Sequence, residues 1–177
     1  ITNAVTFSNT GSLTIDAGFT FTGGVTKTVG VKSLAGTIDT TNAPINLGTA
    51  GNITLTANTT LDSGTGAITL YDIPGPANCN LVLSGSGTNT LGVVNLGSGT
   101  LDLSGLTGGS TTVNGGLTAQ ALSTPAAAVN LALNTGAGGQ TSTITNAVTF
   151  SNTGTLTLGN DAGDTITFTG GVTATAP

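Results

Sequence analysis

Residues 1–15 read ITNAVTFSNTGSLTI, and residues 144–158 read ITNAVTFSNTGTLTL. Only two positions differ, Ser12 against Thr155 and Ile15 against Leu158, and both exchanges keep side-chain character. The offset is 144 − 1 = 143 residues. The match resumes at 16–28, DAGFTFTGGVTKT, against 161–175, DAGDTITFTGGVTAT, so that 1–28 and 144–175 are copies of one element. Short insertions move the offset to 168 − 21 = 147 when Phe168 is set against Phe21. The insertions fall between apolar triplets, where a solenoid accepts them: strands must keep their register while turns can swell. A duplication this long marks a tandem array, and array proteins are commonly scaffolds, fibres or binding surfaces. Both ends fall inside the repeating pattern, so the chain is expected to be a segment of a longer protein. At this level 1–177 is one continuous domain, and the 143-residue period is expected to hold about six coils.

Composition narrows the function further. Charged residues make up 5% of the chain, against roughly 25% in ordinary globular proteins. Glu, Arg, His, Met and Trp are absent; the cations are Lys27 and Lys32, and the acids are seven aspartates. Two lysines and a net charge of −5 cannot displace phosphate counterions, so nucleic acid is excluded as a partner. The same shortage of cations argues against a basic membrane-surface helix. No apolar run reaches the roughly 18 residues a spanning helix needs, so no membrane insertion is expected in this segment. A hydrophobic share of 37% and a mean hydropathy of +0.32 argue for an ordered chain, since disordered linkers are poor in apolar residues.

Catalysis needs a nucleophile with a base, an acid paired with a base, or a metal. Without His, Glu or Arg only scattered aspartates remain, so no enzyme, catalytic residue, metal ligand or cofactor is expected. Asp161 and Asp164, in GNDAGD at 159–164, faintly resemble the calcium turns of glycine-and-aspartate nonapeptide repeats. Those require the motif on successive turns, and here it occurs once. Cys79 is alone. It reads as a small buried or half-buried residue, with an interchain disulfide left open. Asn52-Ile53-Thr54 and Asn58-Thr59-Thr60 match the glycosylation pattern, as chance allows in a chain so rich in Asn and Thr.

Short segments alternating apolar and small polar residues recur along the chain: AVTF at 4–7, SLTI at 12–15, INL at 45–47, NITLT at 52–56, AITLY at 67–71, NLVLS at 80–84, TLDLS at 100–104 and VNLAL at 129–133. Period-two alternation bounded by Gly, Asn, Asp, Ser and Thr is the strand-and-turn signature. A hairpin sandwich and a parallel β-helix both fit. The shortness of the strands, and the lack of Asn-Gly or Asp-Gly turns except Asn114-Gly115, favour the parallel β-helix. At about 20–25 residues per coil, the chain makes roughly seven or eight coils about 35 Å tall. Outward threonines would form hydroxyl ladders, and the matched pairs Phe7/Phe150 and Phe21/Phe168 would stack in the core. Residues 71–80, YDIPGPANCN, break the pattern. Prolines do not sit in central ladders, so a protruding loop is expected there, either a bulge or a binding loop.

GNITLTANTTLDSGTGAITL at 51–70 and GSGTLDLSG at 97–105 resemble coils of filamentous-haemagglutinin-type and autotransporter passenger proteins. FTGGVTKT, with its copy at 168–175, resembles the autotransporter-associated β-strand repeat. The resemblance implies a right-handed β-solenoid, export to a Gram-negative cell surface, and a role in adhesion, aggregation or fibre building. The expected partners are further copies of the chain, packed end to end or side by side, and host or matrix glycans. A Thr/Asn-rich face that binds carbohydrate or ice is the alternative function; the T-x-T motifs at 20–22, 26–28 and 54–56 recur at no constant interval.

Overall fold

The computed structural model describes residues 1–175. The chain winds through eight stacked coils, all strand and turn, with every strand pair parallel. Coil 1 holds β1 (Val5–Thr6), β2 (Leu13–Ile15) and β3 (Phe19–Thr20); coil 2 holds β4 (Val25–Thr26) and β5 (Lys32–Asp39). Coil 3 holds β6 (Ile45–Leu47) and β7 (Ile53–Asp62), and coil 4 holds β8 (Ile68–Leu70) and β9 (Leu81–Gly85). Coils 5 and 6 hold three strands each: β10 (Thr88–Leu91), β11 (Val94–Asn95) and β12 (Thr100–Leu106), then β13 (Ser110–Val113), β14 (Leu117–Ala119) and β15 (Ala121–Ser123). Coil 7 holds β16 (Asn130–Leu133), β17 (Thr141–Ile144) and β18 (Val148–Phe150). Coil 8 holds β19 (Leu156–Leu158), β20 (Thr165–Phe168) and β21 (Val172–Ala174).

The first strands of all coils form one eight-stranded sheet, the first face. Val5, Val25, Ile45, Ile68, Asn89, Thr111, Leu131 and Leu156 stack along it in register. A coil therefore spans from 25 − 5 = 20 to 156 − 131 = 25 residues. The second face (β11, β14, β17, β20) exists only in coils 5 to 8, seeded by a single bridge from Ile73 to Val94 in coil 4. The third face runs from β2 to β15. β18 lies over β15, with Thr124 Oγ1 donating to Thr149 O at 2.8 Å and accepting from Ser151 N at 3.0 Å, but pairs only with β21.

Alternation dictates the core. Odd positions of each triplet point inward, so Leu47, Leu70, Leu91, Val113 and Leu133 form one buried row, while Leu61 stacks on Leu83 and Leu81 on Leu101 in two others. Each buried Leu contributes roughly 1.5–3 kcal/mol relative to exposure, and stacking like on like lets every coil shield the next.

The duplicated element does not return to the same face. In the first copy Val5 lies on the first face and Leu13–Ile15 on the third. In the second copy Val148 lies over the third face and Leu156–Leu158 on the first. The 143-residue period therefore covers the expected six or so coils plus two of three face steps, which moves the second copy to a different face. What each copy preserves is local. Val5 pairs with Val25 just as Val148 pairs with Val172. A Cβ on Gly23 would come 2.3 Å from Ala4 N, and one on Gly170 would come 2.3 Å from Ala147 N. Only glycine permits this approach between coils in either copy.

The matched phenylalanines consequently differ in environment. Phe21 and Phe150 are buried, whereas Phe7 and Phe168 are half-buried. Phe150 meets Phe168 edge to face at 5.8 Å.

Candidate functional site

Of residues 71–80, expected as a protruding loop, only the tip stands out, and the rest is bonded to the next coil. Ile73 is buried, donates to Val93 O at 2.7 Å and accepts from Asn95 N at 2.8 Å. Ala77 N and Asn78 N donate to Asn95 O and Leu96 O. The segment is thus the opening of the second face, and only its tip, Pro74-Gly75-Pro76, is exposed together with Asn78. Tyr71 and Cys79 are half-buried, with Cys79 a free thiol.

Beneath that tip lies a groove of about 270 Å³, walled by residues 52–55 of coil 3 and 73–77 of coil 4. The prolines explain it. Along the prism, an inward residue donates its N–H to the coil above and accepts from the residue one step further along that coil. Ile73 shows the rule, bonding Val93 O and Asn95 N. Ile53 N donates to Asp72 O at 2.8 Å, so its carbonyl should accept from residue 74, and that of Leu55 from residue 76. Both are prolines, which have no N–H. Pro74 O instead accepts from Asn95 Nδ2 at 3.4 Å. In the parallel register with β5, residues 52, 54 and 56 bond coil 2, so the carbonyls of Ile53 and Leu55 and the N–H of Leu55 face coil 4 and have no partner there among the described residues. Residues 56–58 bulge outward beside the groove, where the register between β5 and β7 shifts.

Both lysines are fully buried in coil 2. Lys27 Nζ donates to Asn9 O and, at 3.0 Å, to Asn9 Oδ1. Lys32 Nζ donates to Ala50 O at 2.6 Å and Gly51 O at 3.0 Å. The two ammonium groups thus bond turn carbonyls of the coils below and above. Burial, and secondarily the neighbouring Lys27 charge, hold the Lys32 pKa below its ordinary 10.5. In the second copy Ala174 stands where Lys27 stands in the first. Asn152, the counterpart of Asn9, then keeps a buried Oδ1 with no partner among the described residues.

The outward column of the first face reads Thr6, Thr26, Asn46, Thr69, Thr90, Thr112, Ala132, Thr157 in unbroken register. Unequal coil lengths hide this ladder in the linear sequence.

Asp161 and Asp164 serve the backbone. Asp164 accepts from Gln140 N at 2.7 Å, Asn160 N at 2.8 Å and Asp161 N at 2.9 Å, and these bonds lower its pKa below 3.8. Asp161 Oδ2 accepts from Gly138 N at 3.1 Å. Among the described residues no group of three His, Cys, Asp or Glu is placed to hold a metal. No described helix is long and apolar enough to cross a membrane. Asn58 is exposed in the bulge, its Oδ1 accepting from Asn80 N at 2.9 Å; Asn52 borders the groove. No protein-family model, curated protein or solved structure matches the chain.

Proposed function

We propose that this chain is a rod segment of a long, repetitive fibre on a Gram-negative cell surface, of the filamentous-haemagglutinin or autotransporter kind, whose copies stack end to end. The observation that carries this reading is the unbroken stacking of eight parallel coils, an arrangement that extends by adding further coils. Coil 1 presents exposed Ile1 and Phe19, and coil 8 presents exposed Leu158 and Val172, each beside strands paired on one side only. Open strand edges with apolar neighbours are templates for further strands. The sides carry little charge to repel a neighbouring rod. Electron microscopy of the chain across a concentration series tests this. Particles lengthening in steps of about 38 Å (eight coils), shortened by Phe19→Ser with Val172→Ser, support it. Single particles at every concentration sink it.

The threonine column favours a second reading, a face that binds a flat, regular ligand such as a glycan or ice. Thermal hysteresis and glycan-array binding, each compared with a Thr69→Val, Thr90→Val, Thr112→Val variant, test it. Signals absent in the parent chain exclude it.

A further inference from the structure

We infer that the groove under Pro74-Gly75-Pro76 is a binding site for an extended, uncharged peptide strand carrying one apolar side chain. Two independent observations converge there. The first is the hydrogen-bonding pattern: Ile53 C=O, Leu55 N–H and Leu55 C=O lie along one strand edge, the two carbonyls deprived of donors by prolines at alternate positions and the N–H without an acceptor because Pro74 O faces Asn95 Nδ2. That sequence of acceptor, donor and acceptor is the complement of a parallel strand, and strand addition to an open edge is a general mode of peptide recognition. The second is an interrupted core row. Ile15, Leu34 and Leu55 stack in register through coils 1 to 3. The next position is Gly75, which has no side chain, and a Cβ built there would meet nothing within 4 Å. An apolar side chain on the bound strand would continue the row above Leu55, while its neighbours turn outward beside exposed Thr54. The volume of about 270 Å³ lies below the roughly 300–1,000 Å³ of drug and cofactor pockets, as suits two or three residues of extended chain. The walls carry no charged side chain, so the peptide is neutral there.

The test uses the whole chain, isotope-labelled, and a capped peptide, acetyl-Gly-Thr-Leu-Thr-Gly-amide, followed by amide NMR and hydrogen exchange. The free protein is expected to exchange Leu55 N–H far faster than Thr54 N–H, which faces coil 2. At peptide ten times above its dissociation constant, Leu55 protection should rise about tenfold. A peptide N-methylated at both threonines, the residues that donate to the carbonyls of Ile53 and Leu55, should give no protection. Pro74→Ala with Pro76→Ala restores two N–H groups for Ile53 and Leu55, closes the edge and should abolish binding without loss of fold. Unchanged Leu55 protection, equal binding of the methylated peptide, or full binding by the double variant would overturn the inference. Shifts confined to the strands of coils 1 and 8 would also overturn it, while leaving end-to-end stacking intact.

Discussion

Lys27 offers the sharpest test of how this nearly uncharged chain uses its charges. Replacing it by Ala removes an ammonium that donates twice to Asn9, and three buried methylenes. Hydrogen bonds to charged groups contribute roughly 1.5–3 kcal/mol each, so two give about 3–6 kcal/mol. Opposing them are about 2 kcal/mol of lysine rotamer entropy and the desolvation of a cation beside Lys32. The polar net is then about 1–2 kcal/mol. The methylenes add about 0.8 kcal/mol each, or roughly 2.4. Lys27→Ala is therefore expected to cost about 3–4 kcal/mol, and Lys27→Met, which keeps the stem, about 1–2 kcal/mol. The assay is urea unfolding combined with native-state hydrogen exchange, because solenoids lose coils locally. The loss should be confined to coils 1 to 3. The reverse change, Ala174→Lys, should give Asn152 Oδ1 its missing donor and raise protection in coils 7 and 8. A Lys27→Met variant as stable as the parent chain, with Ala174→Lys neutral, would refute a stabilising role for the ammonium.

Three further outcomes follow from the geometry. Phe150→Ala should cost about 3–5 kcal/mol as a buried aromatic, whereas Phe7→Ala, in identical local sequence but half-buried, should cost about half; equal costs in chemical denaturation would contradict their placement on different faces. A Cβ on Gly87 would lie 1.8 Å from Gly66 O, whereas one on Gly75 meets nothing. Gly87→Ala should thus cost about 4 kcal/mol or more and Gly75→Ala within about 0.5, read as a gap between their unfolding midpoints. The Asp164 pKa is lower folded than unfolded, so the stability it lends is complete above 3.8 and is lost as pH falls through the folded value. Protection factors of the Gln140, Asn160 and Asp161 amides should fall in that acid window, and Asp164→Asn should remove the pH dependence.

The alternating triplets were legible because inward apolar and outward hydroxyl residues leave a period of two. INL at 45–47 coincides with β6, and SLTI at 12–15 contains β2. Other strands were hidden for identifiable reasons. In β5 a buried Lys32 occupies an inward position and Gly36 sits at φ +77, where the register shifts. In β10 the inward Asn89 donates to Thr111 Oγ1 at 3.0 Å inside the core, so two polar residues stand where apolar ones were sought. Threonine ladders were expected from the composition, but which threonines share a column was hidden because coil lengths vary between 20 and 25 residues. The prolines at 74 and 76 did announce a break in the ladder. Their consequence, unpaired groups on Ile53 and Leu55, belongs to a strand some twenty residues earlier and appears only once the coils are stacked.

The most direct measurement is fibre diffraction or cryo-electron microscopy of oriented assemblies. Stacked parallel coils predict a reflection near 4.8 Å along the particle's long axis, since strands run across it. That spacing perpendicular to the axis, with strands running lengthwise as in a hairpin sandwich, would contradict the coil-stacked rod.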